Sequence, residues 1–201
     1  MRIGGLQPLS SIDYPGELAA VIFTQGCPWR CCYCHNPELQ TAARGYAIPW
    51  QQVKEFLKKR IGLLDAVVFS GGEPTAQPAI VHAIQEVRNM GFKIGLHSAG
   101  IYPKRLKKLL PLLDWIGLDV KAPLLHYPAI TGIAGSGSAA WESAQLVLEQ
   151  GINYQFRITA NKQWLTPHET LETQEKLAEM GSQNTVIQEG HIVATINPAM
   201  R

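Results

Sequence analysis

No cysteine follows Cys34 in this chain of 201 residues, and the four that exist, Cys27, Cys31, Cys32 and Cys34, fall within eight positions. Such crowding makes a poor disulfide framework, whose bridges need partners spread through the chain, and a good metal loop in a reducing compartment. Excess charge is lacking too: 18 basic and 16 acidic residues leave a net charge of +2. Neither sign gathers in a long run, so no nucleic-acid footprint is expected. The small basic clusters, Lys58-Lys59-Arg60 and Lys104-Arg105 with Lys107-Lys108, sit on predicted helices as solvated faces. No stretch approaches the roughly 18 uninterrupted apolar residues of a membrane span, and Met1-Arg2-Ile3-Gly4-Gly5-Leu6 lacks the apolar core of a secretory signal. A cytoplasmic protein without a membrane partner is the expectation, and no internal repeat or low-complexity tract complicates it.

What is present is an alternation of short β-rich runs with amphipathic helical stretches. Residues 19–24, 66–70, 93–97, 115–120, 154–159 and 185–188 read as strands. Five helical segments separate them. Helical spacing is clearest in Leu106, Leu109, Leu110 and Leu113; Val53, Phe56, Leu57 and Leu64, and Ile80, Ile84 and Val87, follow the same rule. Thr166-Pro167-His168-Glu169 is a capping box with proline at the first helical position, opening the fifth helix. Gly132–Ser138 reads as a flexible loop before the fourth. Strand and helix in strict alternation mean parallel pairing through right-handed crossovers. One domain over residues 1–201 follows, short of the roughly 250 residues of a complete eight-unit barrel.

The strand faces separate an open sheet from a partial barrel. Gln155, Arg157 and Thr159 share one face while Tyr154, Phe156 and Ile158 share the other; Gly117, Asp119 and Lys121 oppose Ile116, Leu118 and Val120. An open sheet covered by helices would be apolar on both faces. A small or polar face therefore predicts a concave interior that holds a ligand, an α/β fold of partial (β/α)6 barrel type.

The cysteines leave three residues between Cys27 and Cys31 and two between Cys31 and Cys34. A 4Fe–4S cluster normally takes four protein thiolates, so a set of three leaves one iron open to something other than protein. Cys32 stands out of register and reads as a non-ligand. The alternative is zinc held by Cys27, Cys31, Cys34 and His35, since Cys3His is a common structural set. Adjacent Cys34 and His35 make one tetrahedron awkward, and no second C-x2–4-C half follows. Other reactive residues gather at the carboxyl ends of consecutive strands, where parallel α/β folds bind ligands: the cysteine loop, then Gly71-Gly72-Glu73-Pro74, then His97-Ser98, then Asp119-Val120-Lys121. Any one of these is weak; four at the same end converge on a site.

The cysteine spacing, with aromatic Tyr33 before the last thiol, resembles the signature of radical S-adenosylmethionine (SAM) enzymes. Gly71-Gly72-Glu73 resembles their GGE motif, and Asp119-Val120-Lys121 the D-x-K motif of the branch that activates glycyl-radical enzymes. His35-Asn36-Pro37-Glu38 continues the likeness, as do Gly5-Leu6-Gln7 and Ser11 through Gly16; across most of its length the chain is similar to anaerobic ribonucleotide reductase activating proteins. The resemblance implies a 4Fe–4S cluster on Cys27, Cys31 and Cys34, with SAM chelating the open iron. It places the adenine beside Tyr33, Cys34 and His35, the amino group at Gly71, Gly72 and the negative charge of Glu73, and further SAM contacts at Asp119 and Lys121. Arg157, facing the predicted interior, would hold a SAM carboxylate or ribose, or else pair with a buried acid; His191 is a looser match. The implied reaction is reductive cleavage of SAM to a 5′-deoxyadenosyl radical that takes hydrogen from a glycine of the partner, with a flavodoxin or ferredoxin as reductant. A radical SAM enzyme acting on a small molecule or peptide shares every one of these motifs, and a non-enzymatic iron–sulfur or zinc module is the third reading. Cys32 and the short carboxyl end depart from the pattern; the lack of further cysteines leaves no ligands for an auxiliary cluster.

Overall fold

The computed structural model describes residues 1–41 and 47–190. Seven strands form one sheet in sequential order: β1 (Ile3–Ser10), β2 (Ala19–Thr24), β3 (Ala66–Gly71), β4 (Lys93–Ser98), β5 (Trp115–Asp119), β6 (Asn153–Ala160) and β7 (Thr185–Glu189). From β2 to β7 every neighbouring pair is parallel, as the alternation requires. The crossovers are carried by α1 (Trp50–Lys58), α2 (Ile80–Asn89), α3 (Pro103–Leu109), α5 (Ser136–Gln150) and α6 (Pro167–Glu179), with the one-turn α4 (Tyr127–Thr131) ahead of α5.

β1 corrects the all-parallel expectation: it pairs antiparallel with β2, with register shifts on either side of its central residues. Two glycines and Pro8 hide it from a propensity reading. Proline is tolerated there because β1 is an edge strand, where a missing N–H leaves no ladder bond broken. Two helical expectations also change. Leu64 lies beyond the end of α1 and buries itself from a turn. The stretch Gly132–Ser138 divides: Gly132 and Gly135 take left-handed backbone (φ 71° and 73°), and Ser136 to Ser138 already belong to α5. α6 starts as its sequence demands, with Glu169 N–H donating to the Thr166 hydroxyl and Thr166 N–H to the Glu169 carboxylate.

Period two sorts the side chains. Ile22, Phe69, Leu96, Leu118 and Phe156 point to the helical side and meet Leu57, Ile84, Val87, Leu106, Val147 and Leu177 in the main core. Wholly buried side chains such as Phe69 and Phe156 each contribute about 1.5–3 kcal/mol. A second cluster occupies the other face: Val21, Val68 and Trp115 with Tyr14, whose ring lies 5.3 Å from that of Trp115. The Ser10–Tyr14 segment thus folds beneath the concave face and closes its amino end. Gly95 makes this possible, since a Cβ there would sit 3.0 Å from the Tyr14 ring and 2.9 Å from Val68. Among the described residues no ladder joins β1 to β7, so the curved sheet stays open on one side.

Candidate functional site

The cysteine loop leaves the end of β2 and is tied down at its base and its middle. At the base, Gly26 N–H donates to Leu39 O (2.7 Å) and Cys27 N–H to Gln40 O (3.0 Å). In the middle, Arg30 N–H donates to Thr131 O (2.9 Å) and Cys32 N–H to Ile130 O (3.0 Å). Those acceptors are terminal carbonyls of α4, which lack partners within their own helix. The short helix, invisible to periodicity, is the anvil on which the loop rests, and Trp29 packs edge-on against its Tyr127. So held, Cys27, Cys31 and Cys34 open onto one cavity of about 250 Å³, with His35 beside them. Cys32 does not line that cavity; it packs against the main core.

Burial pushes the Cys27 thiol up to about 12 and raises Cys31 as well. Both are protonated at neutral pH until a metal displaces the protons. Among the described residues no three His, Cys, Asp or Glu side chains are set to hold a single metal ion; a cluster asks for something different, one thiolate on each of three irons.

Opposite the loop stand Gly71 and Gly72. Gly71 has φ +103°, and a Cβ on it would meet the backbone of Thr24 at 2.5 Å; a Cβ on Gly72 would meet Gly26 O at 2.5 Å. The glycines therefore let the turn press against the root of the cysteine loop, and they line the cavity directly. Glu73 behaves differently from expectation. Its side chain is wholly buried behind the turn and does not line the cavity. Oε1 accepts from Thr75 N–H (3.0 Å), the Thr75 hydroxyl (2.6 Å) and the Ser98 hydroxyl (2.9 Å), and Oε2 accepts from Ala99 N–H (3.0 Å). The expected negative charge beside a ligand cation is thus turned inward, because four donors of the protein hold it there.

The far wall carries Asp119, Lys121 and Arg157, all of which the sequence nominated. Arg157 Nε donates to Asp119 Oδ1 (2.9 Å), Nη2 reaches Gly117 O (3.3 Å), and Lys121 Nζ lies 3.4 Å from Asp119 Oδ2. Burial alone would raise the Asp119 carboxyl, but Arg157 and Lys121 outweigh it and hold it at about 2. Burial disfavours the Lys121 ammonium, yet the Asp119 charge keeps it well above its ordinary value. Both alternatives for Arg157 are therefore realised in part: it pairs with the acid and it faces the cavity. The pair fits only because residue 117 is glycine, whose Cβ would sit 3.0 Å from the Arg157 guanidinium. Lys121 N–H donates to the Tyr127 hydroxyl (2.8 Å), so α4 fixes this wall as well as the loop.

One feature of the cavity suits a polar ligand: Lys121 Nζ, 5.5 Å above the Tyr33 ring, has a single long hydrogen-bond contact for its three donors. The Tyr33 hydroxyl is buried without a partner among the described residues. The sequence reading missed Ser70, and it placed Thr159 on the interior face and His97 at the site end of its strand without giving either a role; all three line the cavity. His97 Nε2–H donates to Asp13 O (2.8 Å), which leaves Nδ1 bare, facing the Ser70 hydroxyl at 3.3 Å. Burial and the Arg157 charge lower His97 to about 4, so the ring is neutral at pH 7. Their parity on β3, β4 and β6 was the available signal. His191 lies outside the described residues.

With this geometry in hand, comparison with known proteins defines the class. The model of the radical SAM superfamily matches residues 21–181, and the chain belongs to that superfamily. A protein of Methanocaldococcus jannaschii named as a glycyl-radical enzyme activating enzyme is 35% identical over 131 residues, covering 62% of this chain and 52% of that protein. PqqA peptide cyclase of Methylorubrum extorquens is 37% identical over 113 residues, covering 56% of this chain and 28% of the cyclase. The chain thus spans about half the length of the first relative and less of the second. Streptococcus suis SuiB, solved bound to S-adenosylmethionine, matches with a TM-score of 0.66 at 15% identity over 87% of this chain and 41% of SuiB, a likeness of fold. No helix among the described residues is long and apolar enough to cross a membrane.

Proposed function

We propose that this chain is a glycyl-radical-enzyme activase that cleaves SAM reductively, and that its partner is an anaerobic ribonucleotide reductase. The observation that carries the reading is the cavity itself: three thiols without a fourth, facing a glycine turn and a charged wall on the open carboxyl side of a partial barrel. Cys27, Cys31 and Cys34 would hold a 4Fe–4S cluster, which, once reduced by the external donor, would supply the one electron for SAM cleavage and so for hydrogen abstraction at a partner glycine. Tyr33, Cys34 and His35 border the adenine. Gly71 and Gly72 bring backbone close to the ligand, and Lys121 with Arg157 provides positive charge for its carboxylate. Asp119 holds those two cations in place and stays ionised itself. Ser70 and the neutral His97 offer acceptors low in the cavity. The gap between β1 and β7 admits a peptide loop, which a closed barrel would block. A flavodoxin or ferredoxin serves as reductant in the cytoplasm.

The test is anaerobic reconstitution followed by dithionite and SAM. An intact cluster that yields 5′-deoxyadenosine, and a glycyl radical in electron paramagnetic resonance once a candidate reductase is added, support the reading. A second reading, modification of a peptide, draws on the likeness to the peptide cyclase. Cross-linked or cyclised peptide products without a protein radical would favour it. Reconstituted chain that makes no 5′-deoxyadenosine would sink both.

A further inference from the structure

We infer that Glu73 is a positioning residue that never touches the ligand: it clamps three walls of the cavity to one another. The inference rests on the SAM-binding reading above and reassigns the acidic member of the glycine-glutamate turn. Its backbone N–H donates to Gly26 O (3.0 Å), one residue before Cys27, and so grips the root of the cysteine loop. Its side chain bonds Thr75 within its own turn, and Ser98 and Ala99 at the end of β4. The network extends further, since Ser98 Oγ also accepts from Gly100 N–H (3.0 Å) and Gly100 O accepts from the Ser143 hydroxyl (2.8 Å) of α5. Cys27, Gly71, Gly72, Ser98 and Ala99 all line the cavity, whereas Glu73 and Thr75, which lock them, do not. A carboxylate held by four protein donors, with no accessible surface and no place in the cavity wall, presents no atom to a ligand cation there.

Both Glu73 oxygens accept, one of them from Ala99 N–H, so glutamine cannot replace it. Its amide oxygen keeps the Thr75 and Ser98 bonds, but its NH2 then faces Ala99 N–H, donor against donor. Thr75→Val breaks the same clamp from a residue that cannot reach the ligand. The experiment measures SAM affinity of the anaerobically reconstituted chain, Glu73→Gln, Thr75→Val and the double variant by calorimetry, well below each melting temperature, with iron content and hydrogen exchange of the Ala99 amide alongside. We expect Glu73→Gln to weaken SAM by about tenfold and Thr75→Val by roughly three- to tenfold, non-additively, at unchanged iron content. Ala99 exchange should accelerate in Glu73→Gln. Loss of affinity in Glu73→Gln with none in Thr75→Val overturns the clamp in favour of direct contact. Wild-type affinity in both variants overturns it as well. Should Glu73→Gln not fold, the Thr75→Val result decides alone. A wild-type chain that holds its cluster and binds no SAM refutes the cofactor reading instead, and Ala99 exchange in the metal-free chain still reports the clamp.

Discussion

The two ends of the concave face are built from the same strands and do opposite things. At the amino end Val21, Val68 and Trp115 close around Tyr14 and exclude water. Two residues further along, Val68 gives way to Ser70, Gly95 to His97, and Trp115, through Gly117, to Asp119, and the face becomes a polar cavity. Every one of these side chains points the same way, because side chains repeat with period two along a strand. The difference teaches that the site is a cavity with a floor: an apolar plug brought in by the Ser10–Tyr14 segment supports a polar layer, and the cysteine loop roofs it.

The largest effect should come from the roof. Replacing Cys27, Cys31 or Cys34 by alanine should each reduce SAM cleavage to background and lower the iron content, whereas Cys32→Ala, whose side chain packs on the core, should retain both; iron analysis and 5′-deoxyadenosine yield check this. Loss of activity in Cys32→Ala to the same level would break the ligand assignment. The plug comes next. Trp115 is 5% exposed, so Trp115→Ala should destabilise the chain by about 3–5 kcal/mol in urea unfolding, the ordinary result of emptying an aromatic site. Arg157→Met probes the polar layer and should act oppositely, weakening SAM by about tenfold with a smaller change in stability, as loss of a charged hydrogen bond does. Equal stability losses from Trp115→Ala and Arg157→Met would erase the distinction between floor and site.

The smallest effect is a pH dependence. His97 titrates near 4 in the folded chain, below its ordinary 6.5, so between those values the unfolded chain binds the extra proton and stability falls as pH falls. Asp119, held at about 2 against an ordinary 3.8, adds a second loss as pH drops through that lower window. His97→Gln should flatten the first window by up to about 2–3 kcal/mol and also narrow the second, since the His97 charge helps hold Asp119 down, in urea titrations from pH 7 to pH 3.

Much of the site is legible in the amino-acid pattern. Cys27, Cys31 and Cys34, Gly71 and Gly72, Asp119, Lys121 and Arg157 all line one cavity, because each follows from a strand whose period-two pattern is plain. β1 escapes because its two glycines and Pro8 carry no strand propensity and its pairing is earned from β2. α4 escapes because one turn is too short to show a period, yet it seats the cysteine loop and the end of β5. Glu73 reads in the sequence as facing a ligand because local spacing says nothing about which neighbours will supply donors, and Ser98 and Ala99 lie 25 and 26 positions away.

The sequence by itself determined the spacing of the four cysteines within one short loop, and the alternation that places polar side chains on one face of parallel strands. Both are local, since covalent spacing and backbone geometry act over a few residues. Only the tertiary structure decided which acid looks into the cavity and which is locked away, what floors it and what seats its roof. Those outcomes depend on contacts between segments far apart in the chain, where burial and hydrogen bonding select among arrangements that local pattern leaves equal.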